Sequence, residues 1–161
     1  MTETEYKNLL RYAWEQTGFS YSPYSKFRVG AALLTADGKI YTGCNIENAS
    51  YPAGNCAERT AIFKAVSEGR LKFTAIAVVG GRSLENGEIE VKDYCPPCGI
   101  CRQVMAEFCH PDTFEIVLCN SLKMEFCNIK VLKLKELLPY TFSGKELGEG
   151  GEQTKDFPAN S

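Results

Sequence analysis

"FRVGAALLTADGKIYTGCNIE", residues 27–47, holds two apolar runs separated by Ala36-Asp37-Gly38-Lys39. Asp-Gly between such runs is a strong hairpin signal, because a tight strand-to-strand turn needs the positive φ that glycine accepts freely. The stretch predicts two strands around that turn. On its N-terminal side, Glu3 to Thr17 sets Leu9, Leu10, Ala13 and Trp14 at helical spacing, with Gly18 as a stop. On its C-terminal side a helical run from Cys56 to Glu68 closes at Gly69. "FTAIAVVGG" (73–81) is a continuous apolar strand of the kind buried on both faces. A second helix is predicted from Cys98 to Phe108, followed by strands at "FEIVLC" (114–119) and around "NIKVLKL" (128–134). Helix, hairpin, then strands alternating with helices argue for a mixed sheet with helices on both faces.

The totals narrow the function classes. The chain of 161 residues suits one domain, and its net charge is −2 with no dense Lys/Arg cluster. Proteins that grip a nucleic acid polymer or an anionic membrane carry more basic surface, so a small-molecule partner is expected. The N-terminus "MTETEYKNLLRYAWEQ" (1–16) is acidic and amphipathic, unlike a secretion signal, and no run of 18 apolar residues occurs. Eight cysteines without an export signal read as reduced thiols in a cytoplasmic protein, which makes metal ligation the next question. From Ser143 the sequence is rich in Gly and charge. The expected division is a domain over 1–142 and a partly mobile extension over 143–161.

Two cysteine-bearing segments stand at predicted helix starts: "GNCAERTAIFK" (54–64) and "YCPPCGICRQVMAEF" (94–108). Cys98 and Cys101, three apart, share one helix face. Pro96 and Pro97 fit the non-helical approach and the first turn. Unpaired N–H groups and the macrodipole at a helix start favour thiolates, and Cys56 opens the other helix. Zn2+ accepts three such ligands and then keeps a position for water, whereas four close the site. Glu58, two residues from Cys56, is too near in sequence to ligate comfortably beside it and would move protons instead. Cys98-Gly99-Ile100-Cys101 taken alone is equally a redox dithiol. Cys95 could add a fourth sulfur and make the site purely structural.

The pattern C-A-E … P-C-G-I-C resembles that of the zinc-dependent nucleoside deaminases. "SYSPYSKFRVGAALL" (20–34), "GCNIENASYPAGNCAERTAIFKAVSEG" (43–69) and "PCGICRQVMAEF" (97–108) are similar to segments of the small homotetrameric cytidine deaminases, over about residues 5–142. The resemblance implies a three-layer α/β/α sandwich with a mixed five-stranded sheet, and a free pyrimidine nucleoside as substrate. It implies Cys56, Cys98 and Cys101 as zinc ligands and Glu58 as the proton shuttle. By the same likeness Asn45 and Glu47 hold the ribose hydroxyls, Phe27 packs on the base, and the Ala57 backbone reads the pyrimidine edge. The Pro97 carbonyl would orient the departing amine. Arg59 and Gln103 would donate to the thiolate sulfurs, and Ala49, Tyr51 and Phe142 would complete a neighbouring subunit's pocket in a homotetramer.

The remaining candidates have plainer readings. Cys44, Cys109, Cys119 and Cys127 read as small buried apolar residues. His110, the single histidine, reads as a helix-end or surface residue. Tyr21 and Tyr24 read as packing or turn residues, and "KVLKLKELL" (130–138) as an exposed face.

Overall fold

The Asp37–Gly38 turn joins two antiparallel strands, as its residues require. A computed structural model describes residues 1–121 and 127–144. In it β1 (Phe27–Thr35) pairs with β2 (Ile40–Cys44), Leu34 facing Ile40, and Gly38 has φ +84°. Helix α1 (Glu3–Thr17) precedes them, and α2 (Ala57–Ser67), β3 (Phe73–Ser83), β4 (Ile89–Glu90), α3 (Gly99–Phe108), β5 (Glu115–Cys119), β6 (Ile129–Lys133) and α4 (Leu134–Leu137) follow.

The sheet runs β2-β1-β3-β5-β6, with β4 paired to β3 beside this path. Among the strands of the described residues, β3 and β5 pair in parallel and the other pairs are antiparallel. The expected mixed five-stranded sheet is therefore present, with one short strand added.

Alternation along the central strands sorts side chains to two cores. Ala32, Ala75, Ala77, Val79 and Val117 meet Leu9, Leu10 and Ala13 of α1 on one face. Ala31, Leu33, Ile76, Val78, Ile116 and Leu118 meet Ala57, Ala61, Ile62, Ala65, Cys101, Met105 and Leu134 on the other. Helices thus cover both faces, giving the α/β/α sandwich. The seating of α2 is close: a Cβ on Gly43 of β2 would lie 2.5 Å from the Ala57 carbonyl and 2.6 Å from Ala61 N. Only glycine allows that approach, and it fixes where the first turn of α2 points.

Several expectations need correction. Trp14 is 45% exposed, since α1 turns Leu9, Leu10, Ala13 and Thr17 to the sheet instead. "KVLKLKELL" is not wholly an exposed face: β6 runs into the single turn of α4, which carries Leu134 into the core at 1% exposure. Cys109 and Cys119 are buried, but Cys44 and Cys127 are only half-buried. Residues 145–161, most of the expected mobile extension, lie outside the described residues.

Candidate active site

Cys56 and Cys98 are the N-cap residues of α2 and α3. Both have extended backbones (ψ 155° and 167°), which places each sulfur at a helix mouth rather than on a helix flank. Cys98 Sγ accepts from the Cys101 N–H at 3.5 Å. Cys101, fully buried one turn into α3, supplies a third sulfur, and the three lie within 4.8 Å of one another. The Cys56–Cys98 separation is 3.8 Å. Two sulfurs at tetrahedral corners around zinc, each about 2.3 Å from the ion, stand about 3.8 Å apart. The donor set therefore fits zinc in element, number and spacing. Cys95 stands outside this cluster, so the sulfurs gathered here are three, and the four-sulfur arrangement does not form.

The surroundings favour thiolate at Cys56. The Cys101 thiol donates to Cys56, and with Arg59 beside it Cys56 is pushed down to about 5, while that same bond drives Cys101 up. Arg59 lies 3.9 Å from Cys56 Sγ through one terminal nitrogen and 3.4 Å from the Gly54 carbonyl. Its Nε is buried without a hydrogen-bond partner among the described residues. The side chain as a whole is half-buried, and its terminal nitrogen is turned to Cys56 Sγ and the Gly54 carbonyl. Glu58, 4% exposed on the first turn of α2, has its carboxyl raised by burial, with the Cys56 charge adding to the effect.

In front of the cluster lies a cavity of about 520 Å³ whose walls include Tyr24, Ser25, Asn45, Glu47, Tyr51, Cys56 and Arg59. The walls and the three-sulfur cluster are joined through Cys56. Family and activity follow from comparison with known proteins. A family model, the cytidine and deoxycytidylate deaminase zinc-binding region, matches residues 3–116. The chain belongs to this family. It is 46% identical over 141 residues to a cytidine deaminase of Halalkalibacterium halodurans, covering 88% of this chain and 96% of that one. It is 40% identical over 154 residues to a probable cytidine deaminase of Dictyostelium discoideum, covering 95% and 94%. The crystal structure of the Burkholderia pseudomallei cytidine deaminase superposes with a TM-score of 0.73 at 44% identity, over 88% of this chain and all of that one. As a member of this deaminase family the chain is a zinc-dependent hydrolase, and the Cys56/Cys98/Cys101 cluster suits its ion. No helix among the described residues is long and apolar enough to cross a membrane.

The other residues singled out in the sequence fall in several places. Glu47 takes the backbone N–H groups of Tyr24 and Ser25 at 2.9 and 3.2 Å, and its carboxyl is held below the usual range by Ser25 and these bonds. Asn45 bonds to Ser20, Phe27 and Val29. Phe27 is 40% exposed at the start of β1. Ala57 is fully buried; Tyr51, 79% exposed, meets the Tyr24 ring edge-on at 6.4 Å. Ala49 is exposed. The Pro97 carbonyl accepts from Arg102 Nε at 2.8 Å, and Gln103 directs its amide to the Phe142 carbonyl at 2.8 Å. Phe27, Ala49, Ala57, Glu58, Pro97, Gln103 and Phe142 do not line the cavity.

Two supporting residues escaped the sequence reading. Ser20 has no signal of its own, since a serine in "FSYSPYS" reads as loop. Arg102 follows Cys101 much as Arg59 follows the Cys56-Ala57-Glu58 run, and that position was the available clue.

Proposed function

We propose that this chain hydrolyses free cytidine and deoxycytidine to uridine and deoxyuridine with release of ammonia, as a cytoplasmic homotetramer serving pyrimidine salvage. The observation that carries this reading is the three-sulfur cluster with Glu58 buried at the same helix start. When bound there, held by Cys56, Cys98 and Cys101, zinc supplies the Lewis acidity that makes water a nucleophile near neutral pH. Glu58 takes a proton from the water that attacks C4 and delivers protons to ring N3 and to the departing amino group. The Pro97 carbonyl orients that amine, and its bond from Arg102 keeps the peptide in place. Ala57 offers its backbone to the pyrimidine edge, and Phe27 packs on the ring. Asn45 and Glu47 hold the ribose hydroxyls; both line the cavity, which supports this placement. Arg59 offsets the charge of the thiolates, and the amide hydrogen of Gln103 that Phe142 does not take would be the one to assist it.

Assembly is supported by exposed aromatic surface. Phe19, Tyr51 and Phe142 are 74%, 79% and 60% exposed, which leaves each side chain free to enter a contact with another copy. Tyr51, Phe142 and Ala49 would complete the pocket of a neighbouring copy. Ammonia release measured side by side with cytidine, deoxycytidine, an aminoacylated cytosine nucleoside and single-stranded DNA tests the substrate. Turnover of the first two supports the reading, and turnover only of either of the others overturns it. An active species with the mass of one chain contradicts pockets shared between subunits.

A further inference from the structure

Cys95 has no task in the reading above, yet its surroundings are specific. Gly80 of β3 has no side chain, and the space a Cβ would fill is already taken. Such an atom would lie 2.6 Å from Cys95 Sγ, 3.2 Å from Cys95 Cβ and 3.0 Å from Cε1 of the Phe27 ring. The thiol and the ring therefore rest side by side on one backbone atom. The pairing of β1 with β3 explains how the ring gets there. Phe27 faces Arg82 and Val29 faces Gly80, so Phe27 reaches Gly80 as a diagonal cross-strand neighbour, within range of an aromatic side chain. Towards the metal cluster, Cys95 feels the charges of Glu58 and Cys56. It thus packs beside the aromatic ring on the side of the sheet that also carries the helix starts of the cluster.

Burial pushes the Cys95 thiol up to about 12, so at neutral pH it is an uncharged, polarisable group suited to contact with an aromatic ring. Phe27 is 40% exposed, so its neighbours hold the ring on one side only and the loss of one of them would let it swing. A ring left free to do so would lose that freedom whenever a ligand bound, at a cost to affinity.

We propose that Cys95 is a positioning residue for pyrimidine binding: its thiol wedges beside the Phe27 ring over Gly80 and holds the ring in place. This rests on the reading that Phe27 packs against the base.

The test is a double-mutant cycle on the full-length, zinc-loaded protein: wild type, Cys95→Ala, Phe27→Ala and both together, with Cys95→Val as the shape-restoring variant. The readouts are KM and kcat for cytidine, zinc content, and uridine affinity by calorimetry. Cys95→Ala is expected to keep its zinc and to raise KM and weaken uridine binding about tenfold, the low end of what a methylene-sized misfit in a pocket costs. The value of kcat should change far less, and Cys95→Val should recover most of the loss. In the Phe27→Ala background, Cys95→Ala should have almost no further effect, because contacting residues are not additive. Full additivity of the two substitutions, failure of valine to recover binding, or loss of zinc from Cys95→Ala each overturns the inference. The two readings fail separately. A wild type that releases no ammonia from cytidine sinks the proposed function, whereas an active wild type with additive variants sinks only the role of Cys95.

Discussion

The Asn45 amide donates to the carbonyl of Phe27 at 2.9 Å, while its oxygen accepts from the Val29 N–H at 2.8 Å and the Ser20 hydroxyl at 2.5 Å. One side chain thus ties the end of β2 to the start of β1, the strand that presents the aromatic ring. An asparagine has two amide hydrogens, so one is left over for the ribose hydroxyl of the proposed substrate. In the proposed reading, the sugar contact and the base contact would therefore be mechanically linked.

Asn45→Ala should therefore lower stability as well as affinity. It leaves the partly buried Val29 N–H without its acceptor, at about 1–3 kcal/mol, and each kcal/mol is worth about 2–4 °C in Tm for a chain of this size. A thermal melt together with KM for cytidine checks both effects. A variant with raised KM and an unchanged Tm would show that the bond to β1 is dispensable.

Glu58→Gln keeps the shape of the side chain and removes its proton chemistry. Zinc content should stay at the wild-type level while turnover falls by about 10² to 10⁴, the usual contribution of general acid–base help. Metal analysis and an ammonia assay on one preparation decide it. Near-normal turnover would remove Glu58 from the proposed chemistry.

How much of this was legible in the sequence depends on how local each signal is. The Asp37-Gly38 turn and the ends of α1 are set by neighbouring residues, and the structure places α1 at the predicted Glu3–Thr17. The helix starts at Cys56 and Cys98 were legible for the same reason. Strand β4 was not: two residues, closed by a turn at Gly87 with φ +83°, carry too little periodicity to read. Trp14 and Leu134 failed differently, because spacing defines a face but not its width or which rim meets the sheet. The cluster of sulfurs joins positions 42 residues apart, which no local pattern specifies, and resemblance to a family supplied that link. The bond from Ser20 to Asn45, 25 residues apart, depends on tertiary placement alone, whereas that from Arg102 to Pro97 is local and had its clue in the place of Arg102 after Cys101.

Arg59→Ala tests the guanidinium beside the sulfurs. Three thiolates on one divalent ion leave a net negative charge, and partners that orient or neutralise metal ligands are commonly worth about 10–100-fold in metal affinity. Competition with a chromogenic chelator should show zinc held more weakly by about that factor. Arg59→Lys should recover part of it, keeping charge but losing the planar fork. Unaltered zinc affinity in the alanine variant would mean that Arg59 serves the Gly54 loop instead.

Glu115 makes the pH dependence of stability testable away from the metal. Its carboxylate accepts from Tyr6 Oη and from Lys133 Nζ, each at 2.9 Å, and the terminal amine lies 4.0 Å away, so it ties α1 to β5 and β6. Burial alone would raise this carboxyl, but Lys133 and Tyr6 outweigh it and hold it below the usual range. A depressed folded value means that the stabilisation is complete above the unfolded pKa, about 4.3 for a glutamate. It is lost as pH falls through the folded value, because the unfolded chain then binds the proton more readily. Glu115→Gln has no such proton to bind. The wild type should therefore melt higher than Glu115→Gln at pH 7, and the gap should shrink as the solution is acidified below about pH 4.3. Melts of both proteins across pH 3–7 measure that gap directly. A gap that stays constant through the acid range would assign Glu115 to packing alone and leave the acid sensitivity of the fold to other carboxylates.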